Sequence, residues 1–272
     1  MNILKKLVAV IVILALVNIG FIWYGQASFD ATVKTLAKAF AENNETTPRS
    51  NKRLPDALLK YIDESKAKEH SYKTLVLQLE GEYRSRPKSK WAQMHALALL
   101  RPSCDMLWAI RLESNPIVTF NALETYHGAK ATMEMLLFGI ISTGKREGEK
   151  FARSELARVL AYSVYNPLLF EREGVEFTQL DANRVEAVAK DGNISASVTF
   201  LFNPKGEIVE VQSKDRLRPV KGGLQPAFWR MKILSYREVD GIKIPENVEE
   251  HWVIEGNEFP YLRAKVDMAK RL

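Results

Sequence analysis

The sequence predicts an α+β protein built on a large curved antiparallel sheet, half-barrel-like, with one internal helix packed in its concavity. After residue 70, apolar residues alternate with period 2 in successive segments, which is typical of strands with one dry face. The connections are short and contain Pro102, Pro116 and Gly128, as in hairpins. One helical pattern, residues 148–164, interrupts the strands. So large a sheet must curl, and a curled sheet leaves a concave face that this helix can fill.

The N-terminal segment predicts where the protein works. Residues 7–25 carry no charge and follow Lys5 and Lys6. A helix of this length rises about 28 Å, enough to cross a bilayer core. Because the basic residues lie only on the N-terminal side, we expect a single-pass inner-membrane protein with its N-terminus inside and its C-terminal domain periplasmic. The alternative is a signal peptide cleaved near Ala27, which would give a secreted protein.

The polar and turn-rich composition after the anchor indicates three regions. A helix from Ser28 to about residue 43 is predicted, with Ser28 or Asp30 as its cap, then a linker at 43–53. Pro55 opens a second helix at about 55–68. The predicted regions are 1–27 as the transmembrane anchor or signal peptide, 28–70 as a helical stalk and linker, and 71–272 as the antiparallel β domain with helix 148–164.

Ten or eleven strands are predicted in two series that flank the internal helix. Its packing stripe consists of Ala152, Leu156, Val159, Leu160 and Ser163, and Asn166-Pro167 ends it. The strands are predicted at 75–83, 91–100, 106–112, 116–126 and 130–142 before the helix, and at 185–189, 194–202, 207–215, 228–238, 242–254 and 259–269 after it.

No catalytic residue, metal ligand or cofactor site is predicted. The four histidines do not fall at ligand spacings, and no GxSxG elbow is present. Residues 139–145 match GxxxxGK, but Arg146 stands where a phosphate-binding loop needs Ser or Thr, so this segment is interpreted as a strand-to-helix turn. The single cysteine, Cys104, allows no intramolecular disulfide. The net charge of +6 is dispersed rather than striped, so no nucleic-acid partner is predicted.

Large apolar residues on the predicted strands are either core or the lining of a ligand cavity. The candidates for a lining are Trp91, Met94, Trp108, Ile110, Met133, Met135, Phe138, Phe200, Trp229 and Trp252. The polar candidates are Glu155, Arg158, Arg216 and Arg218. Glu155 and Arg158 form a solvated helix pair, or an enclosed head-group site if the helix is buried. Arg216 and Arg218 are interpreted as rim residues at a strand end.

Several motifs resemble an uncharacterised bacterial family of membrane-anchored envelope proteins, over about residues 54–268. The most distinctive is the helix run at 153–161 closed by residues 166–170, NPLLF; Tyr162 departs from the acid that the family carries there. The other matching residues are Leu54-Pro55, Tyr61, Gly81, Trp91, Trp108-Ala109, Tyr236, Asp240-Gly241, Ile244-Pro245, Trp252 and Pro260-Tyr261. The second half also resembles the periplasmic lipoprotein-carrier half-barrel superfamily. That resemblance implies a curved sheet plugged by helices that holds acyl chains.

We therefore expect a membrane-anchored extracytoplasmic protein that binds a lipid or other hydrophobic ligand in a curved sheet. Its expected partners are the bilayer, through residues 7–25, and a lipid or lipoprotein. The first alternative is a structural or interaction protein of the cell envelope that has no ligand. The second is a hydrolase whose site is assembled from scattered residues.

Overall fold

The computed structural model describes residues 2–42, 49–69, 73–115, 118–239 and 241–272. His70, Pro116, Asp240 and the first part of the predicted linker lie outside the described residues. The helices are α1 (Asn2–Glu42), α2 (Asp56–Ser65) and α3 (Glu149–Ala161), with 3₁₀ turns at Ala67–Glu69, Tyr162–Val164 and Pro167–Glu171. The strands are β1 (Leu75–Tyr83), β2 (Ala92–Leu100), β3 (Met106–Glu113), β4 (Thr119–His127), β5 (Lys130–Leu137), β6 (Ile141–Glu147), β7 (Val175–Asp181), β8 (Arg184–Asp191), β9 (Ile194–Phe202), β10 (Ile208–Ser213), β11 (Leu217–Val220), β12 (Gly223–Pro226), β13 (Phe228–Val239), β14 (Ile242–Ile254) and β15 (Asn257–Arg271).

Thirteen of these strands form one open antiparallel sheet, as the sequence predicts. Its order is β6-β5-β4-β3-β2-β1-β15-β14-β13-β10-β9-β8-β7, so the last strand closes the gap between the two series. Twist accumulates over so many strands and bends the sheet around α3. Helix α3 contacts β4, β5 and β6 near one edge and β8, β9 and β10 near the other. The predicted internal helix in the concavity is confirmed.

The predicted strand count is too low because four short or polar strands, β6, β7, β11 and β12, escape the alternation rule. The segment predicted as one strand at 130–142 is two strands that turn at Phe138, Gly139 and Ile140. Gly139 has φ 82°, a conformation that glycine adopts without strain. The predicted strand-to-helix turn at 139–146 is therefore wrong, since Gly144, Lys145 and Arg146 belong to edge strand β6. Strands β11 and β12 form a separate two-stranded hairpin.

Helix α1 is continuous, so the prediction that a new helix starts at a Ser28 or Asp30 cap is wrong. No proline interrupts residues 25–28, and Gly25 stays helical. Beyond residue 28 the helix lies on the convex face of the sheet. There Phe29 and Val33 pack against Leu99, Leu107 and Ala109 in a second apolar cluster.

Helix α2 lies in the main core rather than in an isolated stalk. It begins at Asp56, one residue after the predicted start, with Pro55 at its N-cap. Leu58 and Ile62 are fully buried, and the Tyr61 hydroxyl donates to the Val164 carbonyl at 2.7 Å. The boundaries between anchor, stalk and β domain stay predictions.

Candidate functional site

Helix α3 crosses the concave side of the sheet as a largely buried element. It begins after Gly148, whose φ of 98° allows the sharp turn out of edge strand β6. The predicted stripe is buried, and so are most of the remaining residues from 151 to 161. Arg153 is the exception, since it is exposed and pairs with Asp215. A helix enclosed on this many sides must pair its polar side chains inside the protein.

Two ion pairs join α3 to its surroundings, one to β4 and the other to the connection between β10 and β11. Arg158 contacts Glu155 in the preceding turn of α3 and Glu124 on β4. On the other side, Arg216 donates to the Glu155 carboxylate at 3.0 Å and to the Ser154 carbonyl at 2.9 Å. The side chains of this cluster are at most 8% exposed. The enclosed-pair interpretation of Glu155 and Arg158 is therefore the one observed, and the rim interpretation of Arg216 is wrong.

Burial shifts the proton affinities of two groups in this cluster, Arg158 and Glu155. Desolvation, with a smaller contribution from Arg216, lowers the pKa of Arg158 to about 10. Burial raises the pKa of Glu155, and the neighbouring Arg216 opposes that rise. Arg158 stays cationic near neutral pH, because this pKa lies well above 7, and the carboxyl groups of Glu124 and Glu155 are the acidic groups in contact with the two guanidinium groups.

A second polar group surrounds Glu250 on β14. Its carboxylate accepts hydrogen bonds from the Tyr162 hydroxyl at 2.6 Å, from the Trp229 indole at 3.2 Å and from the Tyr261 hydroxyl. Burial first, and the Glu250 charge second, raise the pKa of Tyr162 and of Tyr261 well above 10. Both phenols stay protonated and act as donors, so Glu250 is a fully bonded acid in the core.

The concave face is less well covered at one end of strands β1 to β6. We call the rim formed by these strand ends the Phe138 edge. The register aligns there the strand ends Tyr83, Ala92, Glu113, Thr119, Leu137 and Ile141. Inward-facing apolar side chains of β3, β4 and β5 near this edge are half-buried or exposed, whereas Met94 on the neighbouring β2 and the side chains deeper in the sheet are buried. The half-buried or exposed residues are Ile110, Leu112, Phe120, Met133, Met135 and Leu137. The Phe120 residue is 40% exposed.

Arg146 on β6 adds a positive charge to this half-covered region. The register pairs Arg146 with Met133, whose side chain packs against the main core. Its charge also lowers the pKa of Tyr83, on the far side of the concavity, although burial dominates and the net effect is a rise. Arg146 has no ion-pair partner among the described residues.

Helix α1 meets the sheet at the Phe138 edge. The Phe21 and Phe138 rings make an edge-to-face contact with centroids 6.4 Å apart. The Gln26 amide donates to the Thr119 hydroxyl at 2.7 Å. Further along α1, the Phe40 ring lies 5.8 Å from the Arg101 guanidinium, just beyond the other end of β2. Within the described part of the chain, α1 is the one helix long and apolar enough to cross a membrane, and residues 5–20 of it are exposed.

The structure divides the predicted lining residues into two groups. Met94, Trp108, Phe200, Trp229 and Trp252 are at most 4% exposed and belong to the main core. The half-buried ones are Trp91, Ile110, Met133, Met135 and Phe138, all on the β1–β6 side of the sheet. Arg218 is half-buried in the β11–β12 hairpin. Whether any of these residues contacts a ligand stays a prediction.

Sequence reasoning missed Glu124, Arg146 and Glu250. Glu124 and Glu250 each occupy an inward position within an apolar alternation, and that is a signal of a buried acid. Their partners come from distant segments, so the pairing itself could not be foreseen. Arg146 was hidden because β6 was not predicted as a strand.

Ser103, Asp105 and His127 form another unforeseen constellation. The Ser103 hydroxyl lies 2.5 Å from the Asp105 carboxylate, and His127 Nδ1 lies 2.9 Å from the same group. Serine and histidine thus both contact the acid, whereas a serine nucleophile needs the histidine as its direct partner. Across the described ranges, no group of three His, Cys, Asp or Glu residues is arranged to hold a metal ion.

Comparison with known families gives a match over most of the chain. Residues 44–264 match the model of a family of unknown function, DUF6544. The chain belongs to the DUF6544 family. This agrees with the uncharacterised family that the motifs indicate, and the matched DUF6544 region includes α2, α3 and nearly all of the large sheet. None of the curated proteins compared with the chain matches it.

Three solved structures are similar to this chain at low sequence identity. A protein domain named for outer-membrane lipoprotein sorting, from Vibrio parahaemolyticus, is 13% identical with a TM-score of 0.47, and the match covers 78% of this chain and 91% of that one. A DUF1329 family protein from Desulfovibrio piger is 10% identical with a TM-score of 0.45, and the match covers 79% of this chain and 91% of that one. A LolA superfamily protein from Nitrosomonas europaea is 9% identical with a TM-score of 0.44, and the match covers 79% of this chain and 93% of that one.

Proposed function

We propose that this DUF6544 protein is anchored in the cytoplasmic membrane by residues 7–25 and binds the apolar chain of an anionic amphiphile on its concave face. Lys5 and Lys6 keep the N-terminus inside, so the sheet lies in the periplasm. Retention of the anchor is supported by the continuity of α1, because cleavage after Ala27 would remove the residues that pack on Phe138 and Thr119.

One observation carries the proposal: the inward apolar side chains of β3, β4 and β5 near the Phe138 edge are half-buried or exposed, while those packed around α3 are buried. An acyl chain laid along Ile110, Met133 and Met135 would gain roughly 0.8 kcal/mol for each methylene removed from water. Methionine suits such a surface, since its unbranched side chain adapts to different chain shapes. Arg146 supplies the charge that would hold a carboxylate or phosphate head group.

Binding of a fluorescent fatty acid to the full-length protein in detergent tests this function. Met135→Asp places a charge on the proposed wall and should weaken binding about tenfold or more, a change of about 1.4 kcal/mol or more. The matched control is Thr132→Asp on the same strand, where the side chain is exposed on the convex face. Its affinity should equal that of the wild type.

The head-group assignment has its own comparison. Arg146→Gln should weaken binding of the fatty acid several-fold while leaving binding of its methyl ester unchanged, because the ester carries no charge. Equal losses for acid and ester would contradict the role of Arg146. If the wild-type protein binds neither probe, the ligand-binding function fails.

A scaffold without a ligand is the second candidate, favoured by the tight burial of Trp108, Phe200 and Trp229. In that case the half-covered side chains near the Phe138 edge would be covered by another envelope component. Failure of both probes to bind, together with strong destabilisation by core truncation, would select this alternative.

A further inference from the structure

Exposed apolar side chains surround the point where α1 reaches the sheet. Phe120 is 40% exposed and Ile141 is 44% exposed, and both lie at the Phe138 edge. On α1, near the end of its long apolar run, Phe21, Trp23 and Tyr24 are also exposed. Aromatic and aliphatic side chains grouped in this way are typical of a surface that contacts lipid.

Positive charge accompanies this apolar surface. The connection from β1 to β2 leaves the sheet at the Phe138 edge and carries Arg84, Arg86, Lys88 and Lys90 without any acid. Arg84 is half-buried, with its guanidinium 4.4 Å from the Trp91 ring, while Arg86, Lys88 and Lys90 are exposed. Exposed cations on one loop attract anionic lipid, at about 1 kcal/mol for each residue near the surface.

The course of α1 fixes the orientation of this edge. Phe21 contacts Phe138 at one end of the strands, and Phe40 lies beside Arg101 at the other end, so α1 runs along the strand direction. The part of α1 that precedes the Phe138 edge is the apolar run. If that run spans the bilayer, the strands stand upright with the Phe138 edge toward the membrane.

We propose that the Phe138 edge rests on the outer leaflet of the membrane that α1 crosses, with Phe120 and Ile141 in the interfacial layer and the β1–β2 connection on anionic head groups. This placement rests on the proposed anchoring by α1, but it does not require ligand binding. It deepens the proposed function, because the half-covered wall of Ile110, Met133 and Met135 then opens toward the leaflet. An acyl chain can move from bilayer to protein without crossing water.

Depth-dependent fluorescence quenching tests the placement in the full-length protein, reconstituted in nanodiscs that contain doxyl-labelled lipid. A fluorophore is attached at Ile141→Cys, and the control position is Lys130→Cys at the opposite end of the sheet. Eight residues of β5 separate the two edges, or about 26 Å. Native Cys104 is buried, and burial raises the pKa of its thiol to about 12, so it does not compete for the label.

The expected result is quenching at Ile141→Cys at least threefold stronger than at Lys130→Cys. Adding Lys88→Glu and Lys90→Glu should reduce the Ile141 signal in anionic discs and leave it unchanged in zwitterionic discs. Equal quenching at the two positions, or no effect of the charge reversal in either lipid, would overturn the proposal. Fatty-acid binding measured in detergent is independent of this result, so the two proposals can fail separately.

Discussion

Gly25 on α1 and Gly139 in the turn between β5 and β6 pack backbone against backbone. A Cβ atom on Gly25 would overlap the Phe138 carbonyl and come within 3.2 Å of Ile140. A Cβ atom on Gly139 would overlap the Gly25 carbonyl and come within 3.2 Å of Phe29. The two glycines therefore set how closely the anchor helix approaches the sheet, and they join the apolar run of α1 to the Phe138 edge.

Gly25→Val should detach α1 from the turn, because the clash is with backbone that cannot move aside as a side chain can. We expect a loss of about 1–3 kcal/mol in the packing of α1 on the sheet, with the sheet itself intact. Hydrogen exchange should show faster exchange for residues 26–40 of α1. The matched control is Gly20→Val, since a Cβ atom on Gly20 meets nothing within 4 Å. Equal protection in the two variants would contradict the role of Gly25.

Leu156→Asp should unfold the β domain. Leu156 is fully buried on the face of α3 that packs against the sheet. The other residues of its stripe carry no charge that could pair with a carboxylate at that position. The expected loss of free energy of unfolding is about 3–5 kcal/mol. Chemical denaturation in detergent measures it.

Lys150→Asp is the control on the same helix, because Lys150 is exposed in the first turn and an acid there suits the helix dipole. It should leave the denaturation midpoint within about 0.5 kcal/mol of the wild type. A soluble, cooperatively folded Leu156→Asp protein would show that α3 does not plug the sheet.

The sequence predicts those parts of the fold in which local pattern and burial agree. In β9 the residues predicted to face inward, from Ile194 to Phe202, are the buried ones. The packing stripe of α3 is predicted equally well, because Leu156 and the other apolar residues of the stripe recur at helical spacing. Edge strand β6 cannot be predicted in this way, because its sequence, ISTGKRE, has no apolar face. It forms a strand through its hydrogen bonds to β5.

The candidate site is harder to predict, since its contacts join distant segments. Glu155 pairs with Arg216, which is 61 residues away, and nothing in either local sequence indicates the other. The prediction of the lining residues rests on size and strand position alone. Size cannot distinguish Trp108, closed in by α3, from Met135, which lies where the sheet extends beyond the helix.

Trp108→Ala should cost about 3–5 kcal/mol of free energy of unfolding, because a closed site leaves a cavity when truncated. Trp108 is 2% exposed, its ring centroid lies 5.3 Å from that of Tyr162, and the Arg158 guanidinium lies 5.8 Å away. The control, Trp91→Ala, truncates a half-buried tryptophan at the Phe138 edge and should cost clearly less. If Trp108→Ala is nearly neutral and abolishes fatty-acid binding, the ligand reaches deeper than proposed.

Tyr162→Phe should change how stability responds to alkaline pH. The folded protein holds the pKa of Tyr162 well above 10, through burial first and the Glu250 carboxylate second, while the unfolded phenol ionises near 10. Above pH 10 the unfolded state therefore binds fewer protons than the folded state, so stability falls as pH rises. Each such tyrosine contributes up to about 1.4 kcal/mol per pH unit to that fall.

Removing the Tyr162 hydroxyl has two expected consequences in denaturant titrations of the full-length protein. Between pH 6 and 9 the variant should be less stable by about 1–2 kcal/mol, because Glu250 loses a donor that lies 2.6 Å away. Between pH 10 and 11.5 its stability should fall less steeply than that of the wild type, so the gap narrows. Tyr261 titrates in both proteins and keeps some slope in each. Parallel curves over the whole alkaline range would mean that the Tyr162 phenol ionises alike in the folded and unfolded states, which a hydrogen bond to a buried carboxylate forbids.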